Sequence, residues 1–392
     1  MDTQNTRVHI RLWHRDFWLM AIACWLLSMS VYALIPVMPL WLSANGGFNS
    51  EELGWTMGVF GIGIFLFGAM CSFMVQHYRR NIVCMYAIAG MVVSIGCLWY
   101  INNVRGELLE FWVIMAERFV LGAAYGLAQM VLTSTLIIDT CESFQRTEAN
   151  YSAAWFARFS LSLGPLAGLL VYHLAGFDTV LIFSAACAVL SIALIKTVSF
   201  PFRSPEESVH LFSLDRFFLP NGLLLFLNLL LSTAVIGMLL ALPLNWMFYS
   251  MMMTGFLFAL IAQRYVFVEA ELKSEVVSGL ILFIAAIILM LTRTQEIVEY
   301  IAPLFIGFGI GIIGSRFLLF FIKLSHHCQR GTSQSMYMLA WESGIALGLF
   351  AGFTLLQGER TALLKSALAV SALSLIMYTT ITHKWFLKHK NR

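Results

Sequence analysis

The most decisive stretch of the chain is residues 220–241, which read PNGLLLFLNLLLSTAVIGMLLA and carry no charged side chain. A helix rises about 1.5 Å per residue and the hydrocarbon core of a bilayer is roughly 30 Å thick, so a segment of this length crosses it. In hydrocarbon the backbone must satisfy its own hydrogen bonds, which a helix does within one segment. The stretch therefore predicts a transmembrane helix.

Eleven other segments of the chain have the same character. Hydrophobic residues make up 60% of the 392 residues and charged residues only 11%, which is more apolar sequence than a soluble core requires. The predicted spans, numbered 1 to 12, are residues 17–42, 53–76, 82–101, 111–138, 149–175, 179–199, 220–241, 246–267, 274–292, 298–322, 332–356 and 363–386. We therefore predict an all-α integral membrane protein with twelve transmembrane helices.

Basic residues concentrate in alternate connections between the spans. With both termini in the cytosol, most of the 24 Lys and Arg residues fall in cytosolic segments, among them Arg79, Arg80 and Arg146. This distribution follows the positive-inside rule. We predict a multi-pass protein of a plasma membrane of the bacterial inner-membrane type, with both termini cytosolic. These topology signals account for the formal net charge of +3, which therefore indicates no nucleic-acid partner.

The sequence lacks the motifs of common enzymes and metal sites. It contains no H-E-x-x-H or G-x-x-x-x-G-K-[ST] pattern, and His326-His327-Cys328 has no further ligand beside it in the sequence. The seven Cys residues are odd in number and fall in spans or cytosolic connections, which argues against a disulfide framework. We predict a protein that is not an enzyme and that holds no metal or cofactor.

The longest polar connection, residues 200–219, divides the chain into an N-terminal six-helix bundle, residues 1–199, and a C-terminal one, residues 220–392. A shift of 184 residues superposes Gln145-Arg146 on Gln329-Arg330, Leu163-Gly164 on Leu347-Gly348, and Ala167-Gly168 on Ala351-Gly352. These matches fall in spans 5 and 11, so they indicate a duplicated six-helix unit. We predict two pseudo-symmetric bundles around a central cavity, and an amphipathic segment at residues 209–219 along the membrane surface.

The same shift pairs Arg158 with Glu342, and both residues lie near the middle of their spans. An ionised side chain at that depth is costly unless it faces water or a partner. Two interpretations remain open. The residues form static polar contacts between helices, or they face a central aqueous cavity in which coupling ions and substrates bind.

Span 4 supports a cavity, because one of its faces is polar or small at helical spacing. The residues of this face are Arg118, Gly122, Tyr125, Gly126, Gln129 and Thr133. Glu117 points about 100° away from Arg118 around the helix, so Arg118 is the better cavity candidate. Plain close packing is an equal alternative for Gly122.

Further candidates for the lining of the cavity carry aromatic rings or amides, which bind apolar or cationic compounds. They are Tyr32, Trp25, Asn228 and Trp341. A lipid-facing or packing position is the alternative for Trp25.

Three short motifs resemble those of the major facilitator superfamily, in particular its twelve-span drug:proton antiporter branch. Pro36-Val37-Met38-Pro39 resembles the P-V-x-P signature of that branch. Arg118-Phe119-Val120-Leu121-Gly122 resembles the R-x-x-x-G motif, whose arginine the family associates with proton coupling. Gly164-Pro165-Leu166-Ala167-Gly168 resembles G-P-x-x-G, although Ser160 and Leu169 replace the flanking glycines of that motif. The prolines weaken backbone hydrogen bonding and, beside small residues, allow helices to bend and rock.

The connection between spans 2 and 3 departs from the family. The usual G-x-L-x-D-R-x-G-R-R pattern is reduced here to the closing Arg79-Arg80, and Val75 stands in place of the acidic residue. We therefore do not expect the cytosolic latch that the family implies. A pair of Asp139 or Glu142 with Arg146 is the alternative latch.

The resemblance implies a secondary transporter that works by alternating access. Our main prediction is proton-coupled export of a small organic compound, in which Glu342 carries the proton, Arg118 tunes it and Arg158 pairs with Glu342 in one state. The alternative is uptake of a sugar or an organic anion, by symport or facilitated diffusion, with the two arginines holding the anion. The implied partners are a small-molecule substrate, protons and the lipid bilayer, and we expect a functional monomer.

Overall fold

The computed structural model describes residues 11–104, 109–200, 210–267, 269–326 and 329–391, and all regular secondary structure in these ranges is helical. The first half of the chain contains the helices Arg15–Tyr32, Val37–Gly46, Ser50–Gly63, Cys71–His77, Arg80–Asn103, Phe111–Val131, Ile137–Asp139 and Arg146–Thr197. The second half contains Leu223–Leu240, Trp246–Tyr265, Leu272–Thr292, Glu296–Leu324, Arg330–Phe350, Arg360–Met377 and His383–His389. Short π-helical turns at Leu132–Leu136, Ala351–Leu355 and Tyr378–Thr382 extend three of them.

These helices form the twelve predicted spans. Ten helical runs in the described ranges are long and apolar enough to cross a membrane. One of them, Arg146–Thr197, holds both span 5 and span 6, because Gly176 adopts a φ of 81° that only glycine tolerates easily and the chain reverses there. Span 2 consists of residues 50–77, where the turn at residues 64–70 divides the helix into two shorter pieces.

Proline affects the spans unequally. Span 1 is interrupted by a turn at residues 33–36, and Pro36 directly precedes the helix Val37–Gly46, which contains Pro39. Span 5 continues through Pro165 without a break. The arrangement in span 1 agrees with the missing N–H of proline, which is tolerated best in the first turn of a helix. Pro165 instead lies in a helix interior, where the missing N–H removes one backbone hydrogen bond.

Contacts between span ends define two sides of the bundle. His14, before span 1, lies 2.9 Å from the Thr140 carbonyl after span 4, so both belong to one side. We call this side, which also holds the 210–219 segment and the end of span 12, the terminal side. On the opposite side, which we call the far side, Asn102 of span 3 donates to Asp178 after span 5 (2.7 Å).

The two halves repeat the same packing. Spans 5 and 11 begin at Arg146 and Arg330, which are the residues that the 184-residue shift superposes. Gly164 packs closely against span 1, and its counterpart Gly348 packs in the same way against the backbone of span 7. The limits of the connection, residues 200–219, stay a prediction from the sequence, and residues 201–209 lie outside the described ranges.

Large apolar side chains are exposed around the bundle. Those more than half exposed include Ile62, Val93, Leu174, Ile182, Leu355 and Ile376. A soluble protein rarely exposes so much apolar surface, whereas hydrocarbon accommodates it without cost. The interior holds buried polar residues, among them Arg118, Arg158 and Glu342.

Candidate functional site

A buried carboxylate in span 11 is hydrogen-bonded from the other half of the molecule. Tyr32 of span 1 and Tyr125 of span 4 both donate to Glu342 Oε1, each at 3.0 Å. Trp341 Nε1 in turn donates to the Tyr32 hydroxyl at 3.2 Å. Glu342 is only 7% exposed. These four residues, all predicted from the sequence as cavity residues, are therefore in direct contact.

The network continues along span 4 towards the terminal side. Gln129 Nε2 donates to the Tyr125 hydroxyl (3.1 Å) and to Ser28 Oγ (2.7 Å), and the Cys24 thiol lies 3.7 Å from Gln129 Oε1. Cys24 and Ser28 were not predicted from the sequence as cavity residues. Their spacing of four residues, which continues to Tyr32, places all three on one face of span 1 and was an available signal.

Two small cavities lie on either side of Glu342. The terminal-side cavity, of about 30 Å³, is lined by Gln129, Arg158 and Trp341 among others. The far-side cavity, of about 10 Å³, is lined by Phe60 and Arg118 among others. Glu342 lines both cavities. The larger one has room for about two water molecules, so an organic compound binds only after the halves separate.

Arg158 reaches the terminal-side cavity without an acidic partner. Its Nε donates to the Ala154 carbonyl (3.1 Å), and its guanidinium carbon lies 4.2 Å from the centre of the Trp155 ring. The hydroxyl of Tyr337 lies beside the guanidinium. Neither that hydroxyl nor the two terminal nitrogens of Arg158 has a hydrogen bond of normal geometry within the described part of the chain.

Arg118 occupies the matching place in the far-side cavity. Its guanidinium carbon lies 5.1 Å from the centre of the Phe60 ring, a cation–π contact across spans 2 and 4. Its Nε and Nη1 atoms are buried and find no hydrogen-bond partner among the described residues. Arg118 is 1% exposed and Arg158 is 2% exposed, so both are buried cations. Each lines a cavity that Glu342 also lines, and Arg118 has a second buried carboxylate, Glu117, beside it.

A third intramembrane arginine shows how the chain holds a structural cation. Arg316 of span 10 forms an ion pair with Glu275 of span 9, with Nη2 at 2.5 Å and Nε at 2.6 Å from the same oxygen. Arg118 and Arg158 have no such ion pair in the described ranges. Arg316 is therefore held in a static ion pair, whereas Arg118 and Arg158 can still pair with an acidic group.

Three predicted residues lie outside this network. Glu117 is buried against span 3, where Ser94 donates to it at 2.9 Å. Asn228 is buried between spans 7 and 12, with its amide donating to the Ser374 carbonyl (3.0 Å). Trp25 is half-buried, and its carbonyl accepts the Ser160 hydroxyl at 3.1 Å. The structure thus places all three at contacts between helices, away from the two cavities.

The predicted glycines bring backbones together. A Cβ at Gly122 would overlap the carbonyl oxygen of Phe60 in span 2, and one at Gly168 would overlap that of Ala33 in span 1. The second contact lies beside the turn at residues 33–36 that interrupts span 1. Close packing of span 4 on span 2 and of span 5 on span 1 therefore depends on these two positions.

The terminal side carries an ion pair different from the predicted one. Arg80 donates to Asp139 at 2.6 Å, joining the start of span 3 to the end of span 4. Asp139 therefore pairs with Arg80, where the sequence favoured Arg146, and the pair lies within one half. Arg79 directly precedes the helix that Arg80 begins, and Arg146 begins span 5.

Residues 210–219, which we call the strap, bridge the two halves on the terminal side. Thr332 of span 11 donates to Asp215 Oδ1 (3.0 Å), and Ser72 of span 2 donates to Asp215 Oδ2 (3.4 Å). One carboxylate thus accepts hydrogen bonds from both halves. The strap consists of turns that dock on spans 2 and 11, and it exposes Leu211, Phe212 and Leu214. A position of this segment along the membrane surface stays a prediction.

Arg216 fixes the conformation of the strap. It has a φ of 58°, in the left-handed region that costs energy for any residue but glycine. Its N–H donates to Thr332 Oγ1 at 2.8 Å, and its Nε lies 3.7 Å from Asp215. Burial, and then the neighbouring Arg80 charge, lower the pKa of the Arg216 guanidinium. The contacts of Arg216 with Thr332 and Asp215 hold its backbone in this strained conformation.

No group of three or more His, Cys, Asp or Glu side chains within the described ranges is arranged to hold a metal ion. His327 and Cys328, from the run noted in the sequence, lie outside those ranges.

Twelve spans around a central pair of cavities are typical of membrane transporters. The model of the Major Facilitator Superfamily matches residues 20–349, and the chain therefore belongs to this family of transporters.

Several solved transporters are similar to this chain in fold. The human organic anion transporter MFSD10 (TETRAN) gives a TM-score of 0.68 at 14% identity, with 92% of this chain and 98% of that chain covered. A bacterial homologue of the iron transporter ferroportin, in an outward-facing state, gives 0.67 at 15% identity, with 95% and 99% covered. The nucleoside transporter NupG gives 0.65 at 11% identity, with 93% and 99% covered. No curated protein sequence matches the chain.

Proposed function

We propose that the protein exports a small organic compound in exchange for protons, and that Glu342 carries the proton. The observation that carries this proposal is the position of Glu342. It lines the cavities on both of its sides and is hydrogen-bonded by tyrosines of the opposite half. A carboxyl at such a boundary reaches either cavity without moving along its helix, as a coupling site must.

Protonation of Glu342 controls how stable the closed packing is. A neutral carboxyl is tolerated between two apolar halves, whereas an ionised one is costly there unless water or a cation reaches it. Entry of water from one side therefore favours ionisation and opening towards that side. Arg118 on the far side and Arg158 on the terminal side each provide a positive charge for the ionised carboxylate.

The three motifs in spans 1, 4 and 5 support antiport, because they resemble those of the drug:proton antiporter branch. Their residues contribute to the packing that must change: Pro36 lies at the break in span 1, and Gly164 and Gly168 bring span 5 against that break. We propose that residues 1–199 and 220–392 rock about these contacts while residues 200–219 connect them.

The terminal side faces the cytosol in this proposal, as the distribution of Lys and Arg favours. The protein then lies in a plasma membrane of the bacterial inner-membrane type, with both termini cytosolic. It works as a monomer, since one chain provides both halves of the cavity, and its partners are the substrate, protons and lipid.

The test is dequenching of a pH-sensitive dye in energised inverted membrane vesicles. A panel of cationic, neutral and anionic compounds is added to the wild type, to Glu342→Gln and to Glu359→Gln. We expect one class of compound to release protons from wild-type vesicles and from Glu359→Gln, whose substituted side chain is exposed at the far side. Glu342→Gln should not respond. An unaltered response in Glu342→Gln would exclude the proposed proton site.

Uptake of an organic anion by proton symport is the second candidate. It is favoured by the two buried arginines that have no ion pair within the described residues. Inverted and right-side-out vesicles separate the two candidates, because export accumulates substrate in the first and uptake accumulates it in the second.

A further inference from the structure

We infer that the exported compound is an organic anion, and that its acidic group pairs with Arg158 in the terminal-side cavity. This inference rests on the proposed function, because it names the substrate class for the same cavity.

The first argument is the charge of the core. Arg118 and Arg158 are both buried cations, but only Arg118 has a second carboxylate, Glu117, beside it. Arg158 has no carboxylate partner within the described residues, and an unpaired cation in a low-dielectric surrounding is costly. One acidic group on the substrate supplies the missing partner.

The second argument is the geometry of Arg158. Its Nε donates to the Ala154 carbonyl, and neither terminal nitrogen makes a hydrogen bond of normal geometry within the described residues. Two parallel N–H groups of a guanidinium match the two oxygens of a carboxylate or phosphate. The hydroxyl of Tyr337, which also has no hydrogen bond of normal geometry, lies beside them as a further donor.

The third argument concerns the remainder of the compound. Trp155 stacks on the Arg158 guanidinium, and the indole of Trp341 lines the same cavity. These rings favour a flat apolar or aromatic group next to the acid. The buried side-chain oxygen of Gln334, also in the lining, has no donor among the described residues and suits a hydroxyl or N–H of the compound.

Arg118 then provides the next position for the anion. The Glu117 carboxyl lies near the Arg118 guanidinium, but Nε and Nη1 of Arg118 have no hydrogen-bond partner among the described residues. Protonation of Glu342 removes a negative charge from the lining of the far-side cavity, so the anion moves from Arg158 towards these N–H groups of Arg118. Protonation from the far side thus drives release to the far side, and the proton passes on to the terminal side.

The experiment measures binding to the purified protein rather than transport. Benzoate and 1-naphthoate are compared with the matched amides, benzamide and 1-naphthamide, by the shift in thermal unfolding temperature. We expect the acids to stabilise the wild type and the amides to have no effect. Arg158→Gln should weaken binding of the acids at least tenfold, Arg158→Lys should weaken it less, and the exposed far-side variant Lys365→Gln should bind like the wild type.

Three results would overturn the inference. The wild type could bind acids and amides equally, it could bind neither, or Arg158→Gln could bind the acids as well as the wild type does. If the acids fail while another compound releases protons through Glu342, the inference falls and the proposed function stands. If the acids bind at Arg158 while no compound moves protons, the inference stands and the proposed function falls.

Discussion

At the scale of single residues, Glu342 is the side chain on which the halves converge. Two hydroxyls from the first half donate to one of its oxygens. Hydrogen bonds to a charged group are each worth about 1.5–3 kcal/mol. In the proposed mechanism, the contact between the halves therefore changes strength when the carboxyl gains or loses its proton.

Removing either hydroxyl tests this link. We expect Tyr32→Phe and Tyr125→Phe each to lower proton-coupled transport by about tenfold, because about 1.4 kcal/mol of lost hydrogen bonding corresponds to that factor. The readout is the initial rate of dye dequenching. Tyr249→Phe is the matched control, since the buried hydroxyl of Tyr249 has no partner in the described structure. A similar loss in the control would mean that the ring environment, not Glu342, is responsible.

Two of the intramembrane arginines, Arg316 and Arg158, should differ in their effect on stability. Arg316→Gln leaves Glu275 buried without its ion-pair partner, so we expect it to lower the free energy of unfolding by about 3–5 kcal/mol. Arg158→Gln removes a cation that has no acidic partner, so the substrate-free protein should be as stable as the wild type or more stable. Thermal unfolding of the purified variants measures both effects. Equal destabilisation would show that Arg158 has a structural partner after all.

The sequence predicted which residues share a helix face better than it predicted which way the face points. Tyr125 and Gln129 lie one turn apart, and the structure joins them in one network. Asn228 looked equivalent, but span 7 is rotated so that its amide meets span 12. Helical periodicity fixes the angles between residues within a helix, whereas the rotation of the whole helix depends on its neighbours. The functional roles of these residues stay predictions.

At the scale of elements, close backbone approach sets the packing of span 5 on span 1. We expect Gly168→Ala to lower stability by about 1–3 kcal/mol, because its Cβ would overlap the Ala33 carbonyl and force the helices apart. Gly96→Ala is the control, since no atom lies within 4 Å of its added Cβ. Alanine there should be neutral or slightly stabilising, as it favours the helix. Matching melting temperatures for the two variants would refute a tight helix contact at Gly168.

The strap should hold the terminal side closed. Asp215→Ala removes both hydrogen bonds through which the carboxylate joins spans 2 and 11, so the terminal side should open more often. The native thiol of Cys24, which lines the terminal-side cavity, reports this opening. We expect maleimide to modify Cys24 about three- to tenfold faster in Asp215→Ala, consistent with loss of about 1 kcal/mol. In the exposed control Glu269→Ala, maleimide should modify Cys24 at the wild-type rate. A wild-type rate in Asp215→Ala would show that the strap plays no part in closure.

The transmembrane spans could be predicted from the sequence, whereas the turn within span 2 and the contacts of the strap could not. The spans follow from length and apolarity alone, so all twelve were found. The turn at residues 64–70 was not, because a short break in an apolar helix hardly changes composition. The contacts of the strap could not be predicted, because the segment forms turns without a helical period. Its docking depends on partners such as Thr332, more than a hundred residues away in sequence.

At the scale of the whole molecule, the direction of transport determines how much charge moves. Export of a monoanion in exchange for one proton carries two positive charges inwards per cycle, whereas symport of the two carries none. An inside-negative potential of 100 mV favours the exchange by about 2.3 kcal/mol per charge. We therefore expect export in proteoliposomes to accelerate when valinomycin and a potassium gradient set such a potential. A rate that ignores the potential would favour symport.

The Glu342 side chain also lines both water-sized cavities, so it contributes to the barrier between them. In the proposed mechanism, this side chain therefore helps to keep protons from crossing the membrane without substrate. We therefore expect Glu342→Ala to connect the two cavities through a continuous chain of water molecules. Protons would then cross the membrane without substrate and dissipate the proton gradient. The side chain at position 342 must block a leak of protons as well as carry a proton. Glu342→Gln, which keeps the size of the side chain, should therefore cause much less leak than Glu342→Ala.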